Sequence, residues 1–275
     1  DVIYKNSPQN YNQYQFSTNL DAKITKAIKF GFDILGRQTV DNRGVRTTED
    51  LFSYFLTTSP MSAPYYPNGL LRTGYDGITN NAVLMVSDLP GTSKTTNNTL
   101  NLKPKIRIDL DVITPGLYAE GYAALDYTFN NGKTTNTSYD IYSYDSVSGE
   151  YTNQRDATGS VSVSSWSSNS SSITLNVRIG YSHLFNNAHQ INAFVAYEQN
   201  KYHYNYLYGY RTNFVSSALP DLDYGSTDKT NQSNSGNSNE TARQNWFGRV
   251  NYGYKDRSEE RRVGKECRSR WSPYH

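Results

Sequence analysis

The stretch that decides the fold is LNLKPKIRIDLDV, residues 100–112. Leu100, Leu102, Pro104, Ile106, Ile108, Leu110 and Val112 alternate with Asn101, Lys103, Lys105, Arg107, Asp109 and Asp111. A period of two places successive side chains on opposite faces of an extended backbone, so the segment reads as a strand with one apolar and one charged face. Thr114-Pro115-Gly116 supplies a tight turn, and a second alternation follows. In it Leu117, Ala119, Gly121, Ala123, Leu125, Tyr127 and Phe129 stand against Tyr118, Glu120, Tyr122 and Asp126.

Working outward, the same pattern recurs five times. It runs through Phe16–Ile24, Ile28–Ile34 (with Leu35 out of phase), Ile173–Tyr181, Ile191–Tyr197 and Trp246–Tyr254, for seven expected strands. The connections alternate in length. Thr25-Lys26-Ala27, Thr114-Pro115-Gly116 and Asn186-Asn187-Ala188 are tight turns, whereas about Val40 to Thr99, Asn130 to Ser172 and Tyr206 to Arg243 are long. Short turns on one side and long loops on the other mark a transmembrane β-barrel, and so many long loops count against a compact soluble domain. Tyr127, Phe129, Tyr181, Tyr197, Trp246, Tyr252 and Tyr254 fall on the apolar face, mostly near strand ends, where an aromatic girdle would meet the membrane interface. The fold class is therefore all-β: about seven strands forming an open, curved part of a large antiparallel transmembrane barrel with long extracellular loops.

Within the loops, Thr47–Leu56 has the cap and spacing of a short helix. Tyr139–Asp145 and Glu150–Asn153 suggest a hairpin about Ser148-Gly149, His203–Tyr210 extends the sixth strand outward, and Thr227–Glu240 reads as a mobile polar loop.

Composition agrees with a barrel. Only 19% of the 275 residues are charged, and the mean hydropathy of -0.75 comes from Ser, Thr, Asn and Gln. No run approaches the ~18 apolar residues of a membrane-spanning helix. A net charge of +2 excludes nucleic acid as a partner. With Asp1 first and no signal sequence, the chain is expected to be a mature or truncated piece.

Composition breaks at Arg257. RSEERRVGKECRSRWSPYH (257–275) holds six basic and three acidic residues and the sole cysteine, Cys267, which has no partner for a disulfide. This tail resembles the translation of a sequencing-adapter oligonucleotide, and it is expected to be an artefact following a barrel segment of residues 1–256. The natural frame is then expected to continue past Asp256.

Three further stretches carry a resemblance. NLDAKITKAIKFGFDILGRQ (19–38) forms an early hairpin, TTSPMSAPYYPNG (57–69) a Pro-rich loop, and ETARQNWFGRVNYGYKD (240–256) a strand. Together they resemble the SusC/RagA-type TonB-linked outer-membrane proteins of Bacteroidetes, the last most strongly. The resemblance implies a barrel of about 22 strands around a plug, of which this chain holds an early third. It also implies a place in the bacterial outer membrane, in contact with its lipid, and import of glycans or other large nutrients such as peptides. The implied partners are a SusD-like surface lipoprotein that lids the barrel and the TonB complex, the latter through parts outside this chain.

Tyr65, Tyr66, Tyr142, Tyr144, Tyr204, Tyr206 and Tyr208 lie in the segments expected above the membrane. They are the candidates for touching an oligosaccharide or peptide substrate or the lipoprotein, the alternative being that they pack the loops. Lys103, Arg107, Asp109, Asp111, Glu120, Asp126, Arg178 and Arg249, on the charged face, are expected mainly to pair with one another across strands. Catalytic signals are weak, and no enzyme activity, cofactor or metal is expected. His183 and His189 flank a turn without further ligands, and Asp221-x-Asp223-x-Gly225 lacks the closing acidic position of a calcium loop. The alternative function is a soluble or surface-exposed β-sheet protein that binds carbohydrate without transporting it.

Overall fold

A computed structural model describes residues 9–59, 61–74, 80–255 and 259–261. Most of the adapter-like tail, with Cys267, lies outside the described residues, as do Pro60 of the Pro-rich loop and Asp256. Seven long strands form one open antiparallel sheet: β1 (Asn10–Lys23), β2 (Ile28–Gly44), β3 (Gly91–Asp109), β4 (Leu117–Asn136), β7 (Ser162–Phe185), β8 (His189–Thr212) and β9 (Gln232–Tyr254). Each pairs with the next in sequence, and a three-residue β10 (Glu259–Arg261) continues along Asn251–Gly253. The hairpin β5 (Tyr142–Tyr144) and β6 (Tyr151–Asn153) stands apart in the loop between β4 and β7, as its sequence suggested.

The register puts the expected apolar positions in one band. Ile34 faces Leu102, Leu102 faces Leu125, and Leu125 faces Ile173. Nearer the turns, Ile108, Ala119, Ile179, Val195 and Gly248 form one cross-strand row. That row starts in β2 at Ile28, beside a tight turn, and ends in β9 at Gly248, about six residues from the strand end at Tyr254. Six residues of ~3.3 Å over five strand spacings of ~4.8 Å give a tilt of roughly 40° between strands and turn level. This is the stagger that lets a sheet close into a barrel.

The tight turns fall where expected. Asn186 and Asn187 both take positive φ, 49° and 51°, the conformation of a two-residue hairpin turn whose twist suits the flanking strands. One boundary differs. Strand β3 ends at Asp109, so Leu110, Asp111 and Val112 belong to the turn. The Asp111 carboxylate accepts the Gly116 N–H at 2.7 Å, a local bond that competes with the ladder.

The strands also reach further than the alternation suggested. Gly91–Thr99, Asn130–Asn136 and the serine run Ser162–Ser172 are paired strand. So is Gln232–Glu240, most of the stretch expected to be a mobile loop, which pairs with Arg211 back to His203. A neighbouring backbone satisfies N–H and C=O groups whatever the side chains are. Ser and Asn therefore extend a sheet that apolar residues began.

Above the sheet, α1 (Thr48–Thr57) starts at the N-cap Thr47 in a capping box. Thr47 Oγ1 accepts the Asp50 N–H at 3.1 Å, and Asp50 Oδ2 accepts the Thr47 N–H at 2.7 Å. Bonds from the Thr47 backbone and then its hydroxyl hold the Asp50 carboxyl below the ordinary carboxylate range. A carboxyl depressed in the folded state contributes stability above its unfolded pKa, near 4, and loses it as pH falls through the lower folded value. Helix α1 is expected to fray as pH drops below about 4. Thr47→Ala should cost about 1 kcal/mol of local stability at neutral pH and blunt that dependence. Amide exchange across Thr48–Thr57 at several pH values checks both.

Candidate transport wall

The small buried core lies largely outside the sheet's apolar band. Leu71, Leu84, Tyr139 and Ile141 form the one cluster of buried apolar residues among those described, and Leu84 and Ile141 are 0% exposed. Leu71 and Leu84 come from the β2–β3 loop, Tyr139 and Ile141 from the β4–β7 loop. The Asn81 amide, 3% exposed, ties the knot together. Its Nδ2 donates to Pro64 O at 2.8 Å and Arg72 O at 2.7 Å, and its Oδ1 accepts the Val83 N–H at 2.8 Å. Asn81 also caps the short helix α2 (Ala82–Val86).

In contrast, the apolar band is open. Phe16, Leu20, Ile106, Leu175, Val177, Ile179, Val195 and Val250 are all exposed, and Trp246 is 76% exposed. Aromatic rings gather at parts of its rim: Tyr197 with Trp246 at 4.8 Å, Tyr127 with Phe129 at 6.4 Å, and Tyr181 with Phe185 at 6.3 Å.

The opposite face has two zones. Near the turns it is an ion lattice. Asp109 takes Lys29 at 2.8 Å and Arg107 at 2.9 Å, while Glu120 takes Arg107 at 3.3 Å and also Arg178. Lys105 lies across Gly31 to reach Asp21 at 3.2 Å and Asp33 at 3.4 Å, a path that any side chain at position 31 would block. The aromatic faces here are covered by cations: Arg107 over Tyr118 at 4.0 Å and Lys103 over Tyr122 at 4.6 Å. Asp126 bonds Asn101, and Arg249 bonds Asn251. Cross-strand ion pairing thus holds for Arg107, Asp109, Glu120 and Arg178; Lys103 lies over a ring, Asp126 bonds a neutral amide, Arg249 bonds within its own strand, and Asp111 bonds in its turn.

Farther from the turns the same face of β4, β7, β8 and β9 turns neutral. Tyr202, Tyr204, Tyr206, Tyr208 and Tyr210 recur at every second position of β8. They face Ser172, Ser170, Ser168, Trp166 and Ser164 on one side and Thr241, Asn239, Asn237, Ser235 and Ser233 on the other. Trp166 meets Tyr206 with ring centroids 6.5 Å apart and planes 32° from parallel.

The candidate tyrosines thus fall into two groups. Tyr65, Tyr66, Tyr142 and Tyr144 belong to the loop knot. Tyr66 packs on Tyr144 at 6.2 Å and, with Tyr144, on Tyr151, under Arg72 at 5.6 Å. Tyr65 bridges to Leu71, and Tyr142 to Arg72. Tyr204, Tyr206 and Tyr208 line the polar face of β8. Sequence reasoning missed Tyr202 and Tyr210, which continue the same period, and Trp166, a lone aromatic inside a serine run. Of the other motifs, Asp221 pairs with Lys133 at 2.6 Å, and His189 Nδ1 lies 2.7 Å from the Tyr252 hydroxyl.

No protein-family model and no curated protein matches the sequence. Among solved structures, the chain is similar to one described as the RagAB peptide transporter, with a TM-score of 0.71 and 18% identity over 90% of this chain. Structures of the RagAB peptide importer in its open-open and closed-closed states match with TM-scores of 0.71 and 0.69 at the same identity. The chain spans 26% of the length of those chains. The likeness establishes the fold: an open antiparallel segment of a β-barrel such as transporters use.

Proposed function

We propose that this chain is part of the wall of a SusC/RagA-type, TonB-dependent importer in the bacterial outer membrane. The observation that carries the reading is the continuous apolar band across all seven long strands, exposed on β1, β3, β7, β8 and β9 and mostly half-buried on β2 and β4. From Leu100 to Ile108, and from Ile173 to Tyr181, the band is about nine residues long, close to the ~9–11 of a tilted membrane-spanning strand. Left in water, each of these half-exposed Leu, Ile or Val side chains would forgo on the order of 1 kcal/mol of burial, which counts against the soluble carbohydrate-binding alternative. Lipid covers the band, further strands pair with the open edges of β1 and β9, and the polar face lines the passage. No catalytic step enters this reading.

The neutral zone farther from the turns supports an uncharged oligosaccharide as cargo. Aromatic faces stack on sugar rings, while Ser, Thr and Asn bond hydroxyls. The tyrosine knot, on the loops that would face outward, is the contact offered to a SusD-like lipoprotein. The TonB complex would engage parts of the importer outside this chain. Fractionation of cells producing the whole protein tests the placement. Recovery in the outer membrane with heat-modifiable migration is expected, and recovery in the soluble fraction overturns the reading.

A further inference from the structure

The indole of Trp166 lies over Gly132, its direct partner across the β4–β7 ladder, so closely that a Cβ added at Gly132 would overlap the ring. One face of the indole is thus occupied by backbone. The other aromatic residues of this face differ in what covers them: Tyr118 lies under Arg107, and Tyr122 under Lys103. Among the described residues no cation lies over Trp166, and the Tyr206 ring lies beside it, tilted 32° from its plane. The cross-strand pair next to Gly132–Trp166 but one, Asn130–Ser168, is uncharged.

We infer that Trp166, seated on the glycine at 132, and Tyr206 beside it form a stacking shelf for one sugar ring of a neutral oligosaccharide. The inference rests on the importer reading and assigns its cargo to named residues. Sugar is favoured over peptide because the surrounding positions, Thr128, Thr134, Ser164, Ser168 and Ser170, are hydroxyl-bearing and uncharged. Charged peptide termini and side chains would find no counter-ion among them. Gly132 is the specifying residue, since any side chain there lifts the indole off the wall.

The whole protein in detergent, carrying Trp246→Phe to remove the exposed rim indole, reports on the shelf by the part of the tryptophan fluorescence change that Trp166→Phe abolishes. The probes are α-1,4-, β-1,4- and β-1,3-linked glucohexaoses and an end-capped neutral hexapeptide. A saturable change with at least one sugar is expected. By calorimetry with that sugar, Trp166→Ala should weaken Kd about tenfold, Gly132→Val similarly, and Trp166→Phe by less. Heat-modifiable migration confirms that each variant folds; if Gly132→Val does not, the two Trp166 variants decide. An unchanged Kd in Trp166→Ala overturns the shelf while leaving the importer standing. A response to the peptide alone overturns the ligand class. Absence of any response in an outer-membrane-located protein overturns both the shelf and the oligosaccharide cargo. Recovery of the protein in the soluble fraction instead sinks the importer itself.

Discussion

Val177→Arg is expected to destabilise the assembled barrel by ~2–4 kcal/mol in lipid and to reduce its yield in the outer membrane sharply. Val177 sits in the band, 58% exposed, opposite Gly121 on one side and Tyr197 on the other. On the proposed membrane placement, a guanidinium there must be held in hydrocarbon or drag water in with it. Thr174→Arg, three residues away on the polar face, should cost no more than about 1 kcal/mol. The Asn200 amide that donates to Thr174 Oγ1 at 2.8 Å keeps its second acceptor, Ser172 Oγ at 3.0 Å. The two substitutions differ little in water, where both sites meet solvent. Urea unfolding of the whole protein in lipid vesicles measures the difference, and equal stabilities would mean that the apolar face does not meet lipid.

The loop knot has a different weak point. Asn81→Ala removes two donors and one acceptor at once from a site that is 3% exposed. Pro64 O and Arg72 O lose their side-chain donor, and α2 loses its cap. A loss of ~2–4 kcal/mol local to the knot is expected from the lost donor to Arg72 O together with the lost cap, while Pro64 O keeps the Arg72 N–H at 3.0 Å. Limited proteolysis should cut the β2–β3 and β4–β7 loops faster while the sheet stays protected. Hydrogen exchange should show the same division, because the knot and the sheet share few contacts and can open separately. Unchanged loop protection would show that the Leu71–Leu84–Ile141 packing holds the knot without the amide. If the knot is the lipoprotein contact, the same substitution should weaken capture of that partner.

Part of this architecture was legible from single residues. The alternation of Leu100–Asp109 names both faces of β3 because a strand's side chains have no other geometry than a period of two. The helix start at Thr47 and the turn at Asn186-Asn187 were legible for the same reason: each depends on neighbours a few residues away. Gln232–Glu240 was not legible as strand. Its Ser and Asn side chains describe a solvated surface, and only the register with β8 shows that the backbone is paired. The candidate site was half legible. The spacing of Tyr204, Tyr206 and Tyr208 puts them on one face. That Tyr66, Tyr144 and Tyr151 meet across two loops could not be read from sequence.

What the sequence determined alone is therefore the local geometry: extended segments, their apolar faces, their tight turns, and through these the barrel class. The tertiary structure decided which polar residues serve which purpose. Cations cover Tyr118 and Tyr122 but leave Trp166 open, and Lys105 reaches Asp21 only because Gly31 between them has no side chain. Such pairings depend on strand register, which brings together residues many positions apart, and a one-residue slip would have exchanged every one of them between the two faces of the sheet.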